Sequence, residues 1–205
     1  LGPFTVKLSM DDEVLAQKYF IDNLLFDKLI VGFHAGSATF KGHINKRWGA
    51  NKYIELAKEL HKKYFAHILL FGTESDVNTA IYKGISSFAY IPDVKNIMET
   101  LALMKKCSLF VSNDTALMHL AAGLKIPQTA IFAYTNAKEL APWKNRHEIV
   151  RKELDCSPCF FNSPKPVNCI YSGEEEFKCI KTIGVKEVLA ACEKLIEEIP
   201  RNVKP

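Results

Sequence analysis

The sequence predicts an α/β protein in which an open, parallel β-sheet is covered by helices on both faces. Short apolar runs alternate with stretches of helical periodicity along most of the chain. Strands separated by helices of this kind pair in parallel through right-handed crossovers. The length of 205 residues suits one such domain, and the 48% hydrophobic and 24% charged composition is typical of a globular protein.

Composition and charge exclude several classes of protein. The net charge is +4, and the basic residues are scattered, so nucleic acid is not an expected partner. The most apolar stretch, residues 24–33, contains Asp27 and Lys28 and is far shorter than the ~20 residues that span a bilayer. The chain begins Leu-Gly-Pro and has no secretion signal, so we expect an excised piece of a longer protein.

The first elements follow from local signals. Residues 10–26 have helical spacing, with Ser9 as the N-cap and acidic residues in the first turn. Residues 29–34 form a short apolar run that ends at a turn, as a buried strand does. A polar loop then leads to a second helix at residues 51–63, with Asn51 as its cap.

The alternation continues to the end of the chain. Strands are predicted at residues 68–72, 87–91, 109–111 and 129–132, and helices at residues 75–84, 95–106, 115–124 and 185–199. The last helix has Thr182 near its start and Pro200 as its stop, and we expect it to pack back across the sheet or against a neighbouring domain. This order of elements is Rossmann-like.

In such a sheet, ligands bind outside the carboxyl ends of the strands, so the segments that follow the strands are the candidates for a site. The first segment, residues 34–39, is small and hydroxylic, and Lys41, Lys46 and Arg47 follow it. Small residues allow close approach to the backbone, and the cations could neutralise phosphate. A solvated basic loop is the alternative, since neither GxxxxGK[ST] nor GxGxxG is present.

The next two segments could hold a nucleoside. Glu74 directly follows a predicted strand, where its carboxylate could accept hydrogen bonds from ribose hydroxyls. It could instead simply favour the positive end of the following helix. Val94, within residues 91–95, could border a base or lie in an ordinary loop.

The fourth segment is the most informative. Asn113, Asp114 and Thr115 cluster at a predicted helix start, where free amides and the helix dipole favour an anion, and His119 lies about one turn further on. A diphosphate would fit there. The alternative makes Asp114 an N-cap and His119 a core histidine.

Together the four segments resemble a known family. They are HAGS at residues 34–37, KRW at 46–48, GTE at 72–74 and NDTALMHLAA at 113–122. In this order they resemble the ADP-heptose:lipopolysaccharide heptosyltransferases of glycosyltransferase family 9, over about residues 29 to 179. Four ordered matches after successive strands are much harder to obtain by chance than one.

The resemblance implies an architecture. Members of the family have two Rossmann-like domains in the GT-B arrangement, and the C-terminal domain binds most of the nucleotide-sugar donor. The chain looks like that C-terminal half. It is expected to comprise an interdomain segment and helix (1–28), a nucleotide-sugar-binding domain (29–154), a Cys-rich loop (155–180) and a C-terminal helix and tail (181–205).

The resemblance also implies roles for residues. The donor-binding set would be Ser37, Ala38 and Lys46 at the phosphates and sugar, Glu74 at the ribose, Val94 beside the adenine, and Asp114, Thr115, Ala116 and His119 at the diphosphate and sugar. Two positions depart from the family pattern. The family usually has Gly where Ala116 stands, and Ala38 lacks the hydroxyl of the threonines often found there.

The implied reaction is an inverting sugar transfer that needs no metal, from the donor to a lipid-linked saccharide acceptor at the cytoplasmic membrane face, with peripheral membrane contact. In the family the catalytic base belongs to the N-terminal domain, so this chain alone is expected to bind donor without transferring sugar. Two alternatives stay open: a related GT-B enzyme that uses another nucleotide sugar, such as a UDP-sugar, or a non-catalytic, metal-stabilised nucleotide-binding module.

The six cysteines fall into two sets. Cys107 and Cys192 lie in apolar stretches and are expected to be buried as small hydrophobic residues. The other four cluster near the end of the chain: Cys156, Cys159, Cys169 and Cys179. Their spacing allows a structural zinc site, disulfides under oxidising conditions or free thiols, with an iron–sulfur cluster less favoured.

Overall fold

The computed structural model describes residue 2, residues 4–161 and residues 164–199. These residues contain one six-stranded sheet in the order β3-β2-β1-β4-β5-β6. The strands are β1 Ile30–His34, β2 His67–Leu70, β3 Ala89–Tyr90, β4 Leu109–Asn113, β5 Gln128–Ile131 and β6 His147–Val150. Every neighbouring pair is parallel, which confirms the predicted open, Rossmann-like sheet.

The sixth strand was not predicted. β6 pairs only with β5, at one edge of the sheet. Its sequence, HEIV, starts with two polar residues, and only Val150 is buried. An edge strand with one neighbour and partial exposure does not need the apolar run that marked the central strands.

The helices are α1 Met10–Asp22, α2 Ala50–Tyr64, α3 Ser75–Ile85, α4 Ile97–Lys105, α5 Ala116–Gly123, α6 Ala137–Leu140, α7 Lys178–Lys181 and α8 Val185–Glu197. The loop predicted after β1 contains a 3-10 segment, Phe40–Lys46, and a second lies at Gly173–Glu175. The short helices α6 and α7 were also not predicted, because about one turn is too short to show periodicity.

Two helix layers cover the sheet. On one face α1, α4 and α5 pack around one apolar cluster, and on the other α2, α3 and α8 pack around a larger one. β1 contributes to both, because alternate side chains of a strand point to opposite faces: Val31 and Phe33 enter the larger cluster and Ile30 the other. The last helix packs against α2, β5 and β6, as expected of a helix that crosses back over the sheet.

The start of α1 is as predicted, but its end is not. The Ser9 hydroxyl accepts a hydrogen bond from the Asp12 backbone N–H at 3.2 Å, and the Asp12 carboxylate accepts one from the Ser9 N–H at 3.0 Å. The helix ends at Asp22 rather than at residue 26. The side-chain amide of Asn23 donates to the Tyr19 carbonyl at 2.8 Å, and Leu24 turns into the left-handed region with φ of 54°.

The predicted cap of α2 is wrong. Gly49 precedes α2 with φ of 104°, a conformation that favours glycine, so Asn51 lies inside the helix. At α8 the Glu187 carboxylate accepts a hydrogen bond from the Gly184 N–H at 2.8 Å. The Thr182 hydroxyl instead donates to the carbonyl of Lys178, in α7.

The predicted stop at Pro200 lies outside the described residues, as does the rest of the tail. Among the helices in the described ranges, none has the length and apolar composition needed to cross a membrane.

Candidate functional site

Two pockets lie side by side at the carboxyl ends of the strands. The first has a volume of about 210 Å³ and is formed by the ends of β1 and β2, the segment after β3, and α4 and α5. The second has a volume of about 510 Å³ and is formed by the loop after β1, the end of β4, the start of α5 and the segment after β5. The position of both pockets agrees with the rule for open parallel sheets.

The first pocket is mostly apolar. Its apolar wall comes from Leu70, Phe71, Ile91, Pro92, Val94, Ile97 and Leu117. Its polar groups include His34, Glu74 and Thr100. A planar apolar group with a polar substituent, such as a nucleoside, suits such a lining.

Glu74 turns into this first pocket. Its carboxylate lies 3.5 Å from His34 Nε2, and both side chains are largely buried, at 19% and 7% exposure. The hydrogen bond from His34 lowers the pKa of Glu74, in spite of the opposing effect of burial, so the carboxylate is ionised near neutral pH. Although Glu74 directly precedes α3, its side chain makes no capping hydrogen bond there. Glu74 therefore does not cap α3 through its side chain, and its contact with the ribose stays a prediction.

The second pocket contains several of the predicted residues. Lys46, Asp114, Thr115, Ala116 and His119 all line it, although they come from separate parts of the sequence. Lys46 Nζ lies 3.3 Å from Asp114 Oδ2, and the two side chains are only 12% and 7% exposed. Within the described residues, the Lys46 cation of this pocket is paired with the Asp114 carboxylate.

The start of α5 opens onto the same pocket. Thr115 occupies the N-cap position, but its side chain makes no capping hydrogen bond to the helix. Its hydroxyl oxygen instead lies 2.9 Å from His34 Nδ1. The positive end of α5 is thus left without a side-chain cap beside Lys46, an arrangement that favours an anion.

Asn113 has a structural role rather than the anion-binding role suggested by the sequence cluster. It is fully buried, and its amide donates to the carbonyls of Ala35 at 2.9 Å and Gly36 at 3.0 Å. Its side-chain oxygen accepts a hydrogen bond from the Trp48 N–H at 3.1 Å. Asn113 therefore fixes both ends of the loop that carries Lys46.

Ser37 and Ala38 line neither pocket. Ser37 is 2% exposed, and its hydroxyl donates to the His43 carbonyl at 2.9 Å and accepts from Arg47 Nε at 3.1 Å. Arg47 also donates to the Ser37 carbonyl at 2.6 Å. Ala38 is exposed. In this structure Ser37 fixes the loop, and its role at the donor stays a prediction.

Sequence reasoning missed much of the second pocket. Its other lining residues are His43, Thr135, Asn136, Glu139, Leu140, Phe160 and Phe161. Thr135 and Asn136 follow β5, so the strand-end rule applied to one more strand would have found them. Phe160 and Phe161 come from the Cys-rich loop, and no local pattern marks them.

Two of these residues have unusual surroundings. His43 stacks on Tyr134 and meets Phe160 edge-on, with ring centroids 6.3 and 5.0 Å apart, respectively. Burial, and next the charge of Lys46, lower the pKa of His43, so its ring is neutral at pH 7. Thr135 is 4% exposed, and its buried hydroxyl has no hydrogen-bond partner among the residues that the structure describes.

The four clustered cysteines come together in space. All four, Cys156, Cys159, Cys169 and Cys179, line one small cavity of about 10 Å³ and are free thiols. Burial, and then the neighbouring cysteines, raise the pKa of Cys179 to about 11. As the side chains stand, no three or more His, Cys, Asp or Glu residues within the described ranges are arranged to hold a metal ion.

Cys107 and Cys192 behave as predicted. They are 6% and 0% exposed, and each belongs to an apolar cluster of the core. Burial strongly raises the pKa of both thiols, so they are protonated at neutral pH.

Comparison with known proteins places the chain in a family. The model of glycosyltransferase family 9 (heptosyltransferase) matches residues 6–169. Among curated proteins, lipooligosaccharide heptosyltransferase 2 of Campylobacter jejuni is 25% identical over 181 residues, which is 83% of this chain and 52% of that protein. The chain thus spans about half the length of the curated relatives it matches.

Solved structures share the fold. The E. coli ADP-heptose LPS heptosyltransferase II superposes with a TM-score of 0.71 at 20% identity, over 95% of this chain and 54% of that one. A family 9 glycosyl transferase from Veillonella parvula gives a TM-score of 0.72 at 20% identity, over the same shares of the two chains. At this identity the likeness supports the fold and nothing finer.

Proposed function

Because this chain belongs to glycosyltransferase family 9, we propose that it is the donor-binding half of a heptosyltransferase and binds an ADP-heptose-like nucleotide sugar. The observation that carries the proposal is the pair of adjacent pockets at the carboxyl edge of the sheet. One is apolar with a carboxylate, and the other combines a lysine with an uncapped helix start. A nucleoside diphosphate matches this arrangement, because its nucleoside suits the apolar pocket and its diphosphate suits the pocket with the lysine.

In this proposal the first pocket takes the nucleoside. Val94 and its apolar neighbours would border the adenine. Glu74 would accept hydrogen bonds from the ribose hydroxyls, because an ionised carboxylate is an acceptor without a competing donor.

The second pocket would take the diphosphate and the sugar. Lys46 and the amides at Thr115 and Ala116 would meet the phosphates, with Asp114 holding Lys46 and His119 facing the sugar side. Ser37 would act by fixing the loop through Arg47. Ala38 would adjoin the donor only if this loop moves inward on binding.

The transfer would be an inverting displacement at the anomeric carbon. Negative charge grows on the departing diphosphate as the glycosidic bond breaks, so Lys46 and the helix amides would stabilise the transition state more than the ground state. The acceptor, a lipid-linked lipopolysaccharide core saccharide, would lose its proton to a base outside this chain. The reaction would take place in the cytoplasm at the inner membrane face, with peripheral membrane contact and without a cofactor.

We keep the domain division inferred from the sequence as part of the proposal. Residues 1–28 would join the two halves of the enzyme, residues 29–154 would form the donor domain, and residues 155–180 and 181–205 would be the Cys-rich loop and the C-terminal helix with its tail. The contacts of Phe160 and Phe161 with the second pocket suggest that the Cys-rich loop contributes to donor binding.

Titration of the purified chain with ADP, UDP and GDP by calorimetry at fixed salt tests the proposal. Selective ADP binding, with no sugar transfer by the chain alone, is the expected result. Selective UDP binding would instead favour the related enzyme that uses a UDP-sugar. Absence of any nucleotide binding would overturn the proposal in favour of a non-catalytic module, and turnover by the chain alone would refute the assignment of the base to another domain.

We further propose that the four clustered cysteines bind one structural zinc ion. Their shared cavity is about the size of one small ion or water, and the Phe177 N–H already donates to Cys169 Sγ at 3.3 Å. The thiols would have to turn toward a common centre, since they do not yet form a ligand set.

Metal analysis of the reduced protein tests this site. About one equivalent of zinc is expected, with loss in Cys156→Ser and retention in Cys107→Ala, whose cysteine lies elsewhere in the core. Substoichiometric metal would overturn the zinc site, and mass analysis without reductant would then distinguish disulfides from free thiols.

A further inference from the structure

His34 links the two pockets. It is the last residue of β1 and is 5% exposed, and its ring lies between the end of β2 and the start of α5. Nε2 is 3.5 Å from Glu74 Oε2, in the first pocket, and Nδ1 is 2.9 Å from Thr115 Oγ1, at the second. The donor-binding roles proposed for this chain assign nothing to the His34 ring.

The two contacts favour one arrangement of protons. An ionised Glu74 can only accept, so the ring nitrogen that faces it, Nε2, carries the hydrogen. In a neutral imidazole Nδ1 then accepts, and the Thr115 hydroxyl donates to it. His34 thereby orients both a carboxylate and a hydroxyl that come from distant parts of the chain.

The Glu74 carboxylate could instead bind the first backbone amides of α3. Glu74 directly precedes this helix, yet its side chain makes no capping hydrogen bond there. Its carboxylate is packed instead against Gly36 and Gly72, where a Cβ on either glycine would overlap it. His34 is the first of the polar groups that favour the ionised carboxylate in this close-packed position, and the Glu74 backbone N–H and the charge of Arg47 add to its effect.

We propose that His34 is a positioning residue that holds Glu74 toward the ribose, and thereby makes the first pocket selective for ribonucleotides over deoxyribonucleotides. The inference rests on the proposed binding of ADP. His34 does not itself touch the reacting atoms. Its effect is confined to the geometry of the carboxylate that meets the sugar hydroxyls.

The test compares the affinities of ADP, 2′-deoxy-ADP and 3′-deoxy-ADP in wild type and in three variants of His34. The wild type should prefer ADP over at least one deoxy analogue by about 10- to 100-fold, the value of a hydrogen bond to a charged group. In His34→Ala, ADP binding should weaken more than binding of that analogue, because the analogue already lacks one of the contacts with Glu74, so the preference for ADP should shrink. A merely damaged fold would weaken the two nucleotides equally.

The other two variants separate the two ring contacts. The amide nitrogen of a glutamine can reach the place of Nε2, whereas asparagine reaches only that of Nδ1. His34→Gln should therefore restore the discrimination and His34→Asn should not. His67→Gln is the matched control and should leave all affinities unchanged, because His67 is the first residue of β2 and lies at the amino end of the strand, whereas both pockets lie at the carboxyl ends.

Several results would overturn the inference while the proposed function stands. These are equal wild-type binding of all three nucleotides, unchanged discrimination in His34→Ala, and an equal loss for ADP and its analogues in that variant. If the wild type binds no ADP, the proposed function fails first and the inference fails with it.

Discussion

Lys46 and Asp114 illustrate how one pair of side chains can serve both stability and binding. Each is mostly buried and is the other's partner across 3.3 Å. Removing one charge leaves the other buried without a partner, at a cost of up to about 3–5 kcal/mol. Loss of binding in a single variant would therefore be confounded with loss of stability.

We predict that Lys46→Met weakens nucleoside diphosphate binding by about 10- to 100-fold and also lowers the free energy of unfolding. The double variant Lys46→Met with Asp114→Asn should recover most of the stability but still bind more weakly than wild type, because the cation for the phosphates is missing. Calorimetric titration and urea unfolding measure the two effects. Lys62→Ala, an exposed lysine on α2, is the charge-matched control.

Recovery of wild-type affinity in the double variant would remove Lys46 from the phosphate site. In that case the lysine would serve only to neutralise Asp114 inside the fold.

Thr135 is a second residue at which the structure shows a loss of stability, in this case through its hydroxyl. The hydroxyl is buried and has no hydrogen-bond partner in the described part of the chain, a situation that costs about 1–3 kcal/mol. Because Thr135 lines the second pocket, a hydroxyl of the donor sugar is a suitable partner for it.

We predict that Thr135→Val leaves the protein as stable as wild type or more so, and weakens binding of the intact nucleotide sugar while ADP binding is unchanged. Thr182→Val is the matched control, because its hydroxyl donates to the Lys178 carbonyl at 2.8 Å and its loss should lower stability by about 1 kcal/mol. Thermal unfolding measures the stability of each variant, and titrations with ADP-heptose and with ADP measure the two affinities. Equal loss of ADP and nucleotide-sugar affinity would contradict a role at the sugar.

At the scale of elements, β1 is the strand on which the site depends most, since it lies at the centre of the sheet and ends at His34. Gly32 keeps this strand close to its neighbour: a Cβ at this position would come within 2.7 Å of the Phe110 ring. The ring of Phe110 occupies the space that a side chain on Gly32 would take, on the face covered by α1, α4 and α5.

We predict that Gly32→Ala lowers the free energy of unfolding by about 1–3 kcal/mol, as overpacking of a core does. Urea unfolding measures the loss. Gly184→Ala is the control: a Cβ there has only an ordinary contact with Glu187 and φ is −87°, so the change should cost less than Gly32→Ala, at most the roughly 1 kcal/mol of an alanine at a helix N-cap. An equal effect of the two substitutions would show that packing against Phe110 does not limit β1.

The elements found from sequence were those with a strong local pattern. Periodicity identified the buried face of α2. Short apolar runs identified β1, β2, β4 and β5. β6 escaped prediction because half-burial at an edge leaves a mixed sequence. The cap of α2 was misplaced because the backbone conformation of Gly49, rather than residue type alone, decides where that helix begins.

At the scale of the whole molecule, the site exists only in the folded sheet. Its walls come from the ends of β1, β2 and β4 and from the segments after β3 and β5. A ligand that binds there therefore binds the native state and not the unfolded chain, and stabilises the fold by mass action.

We predict that ADP at 100 times its dissociation constant stabilises the chain by about 2.7 kcal/mol, which corresponds to a rise in Tm of about 5–10 °C. Thermal unfolding with and without ADP measures the shift. Adenosine at the same concentration should give a smaller rise, since it leaves the second pocket empty. Equal shifts with the two ligands would argue against diphosphate binding beside Lys46.

The sequence by itself determined β1 to β5 and the longer helices, the parallel sheet, the family resemblance and the segments that carry Lys46, Glu74 and Asp114. All of these follow from patterns within short stretches of chain. Only the tertiary structure decided which side chains of these segments form hydrogen bonds or ion pairs with other parts of the protein. Ser37 holds Arg47, and His34 meets Thr115, 81 residues away. Such contacts depend on distances between strand ends, which no local pattern encodes.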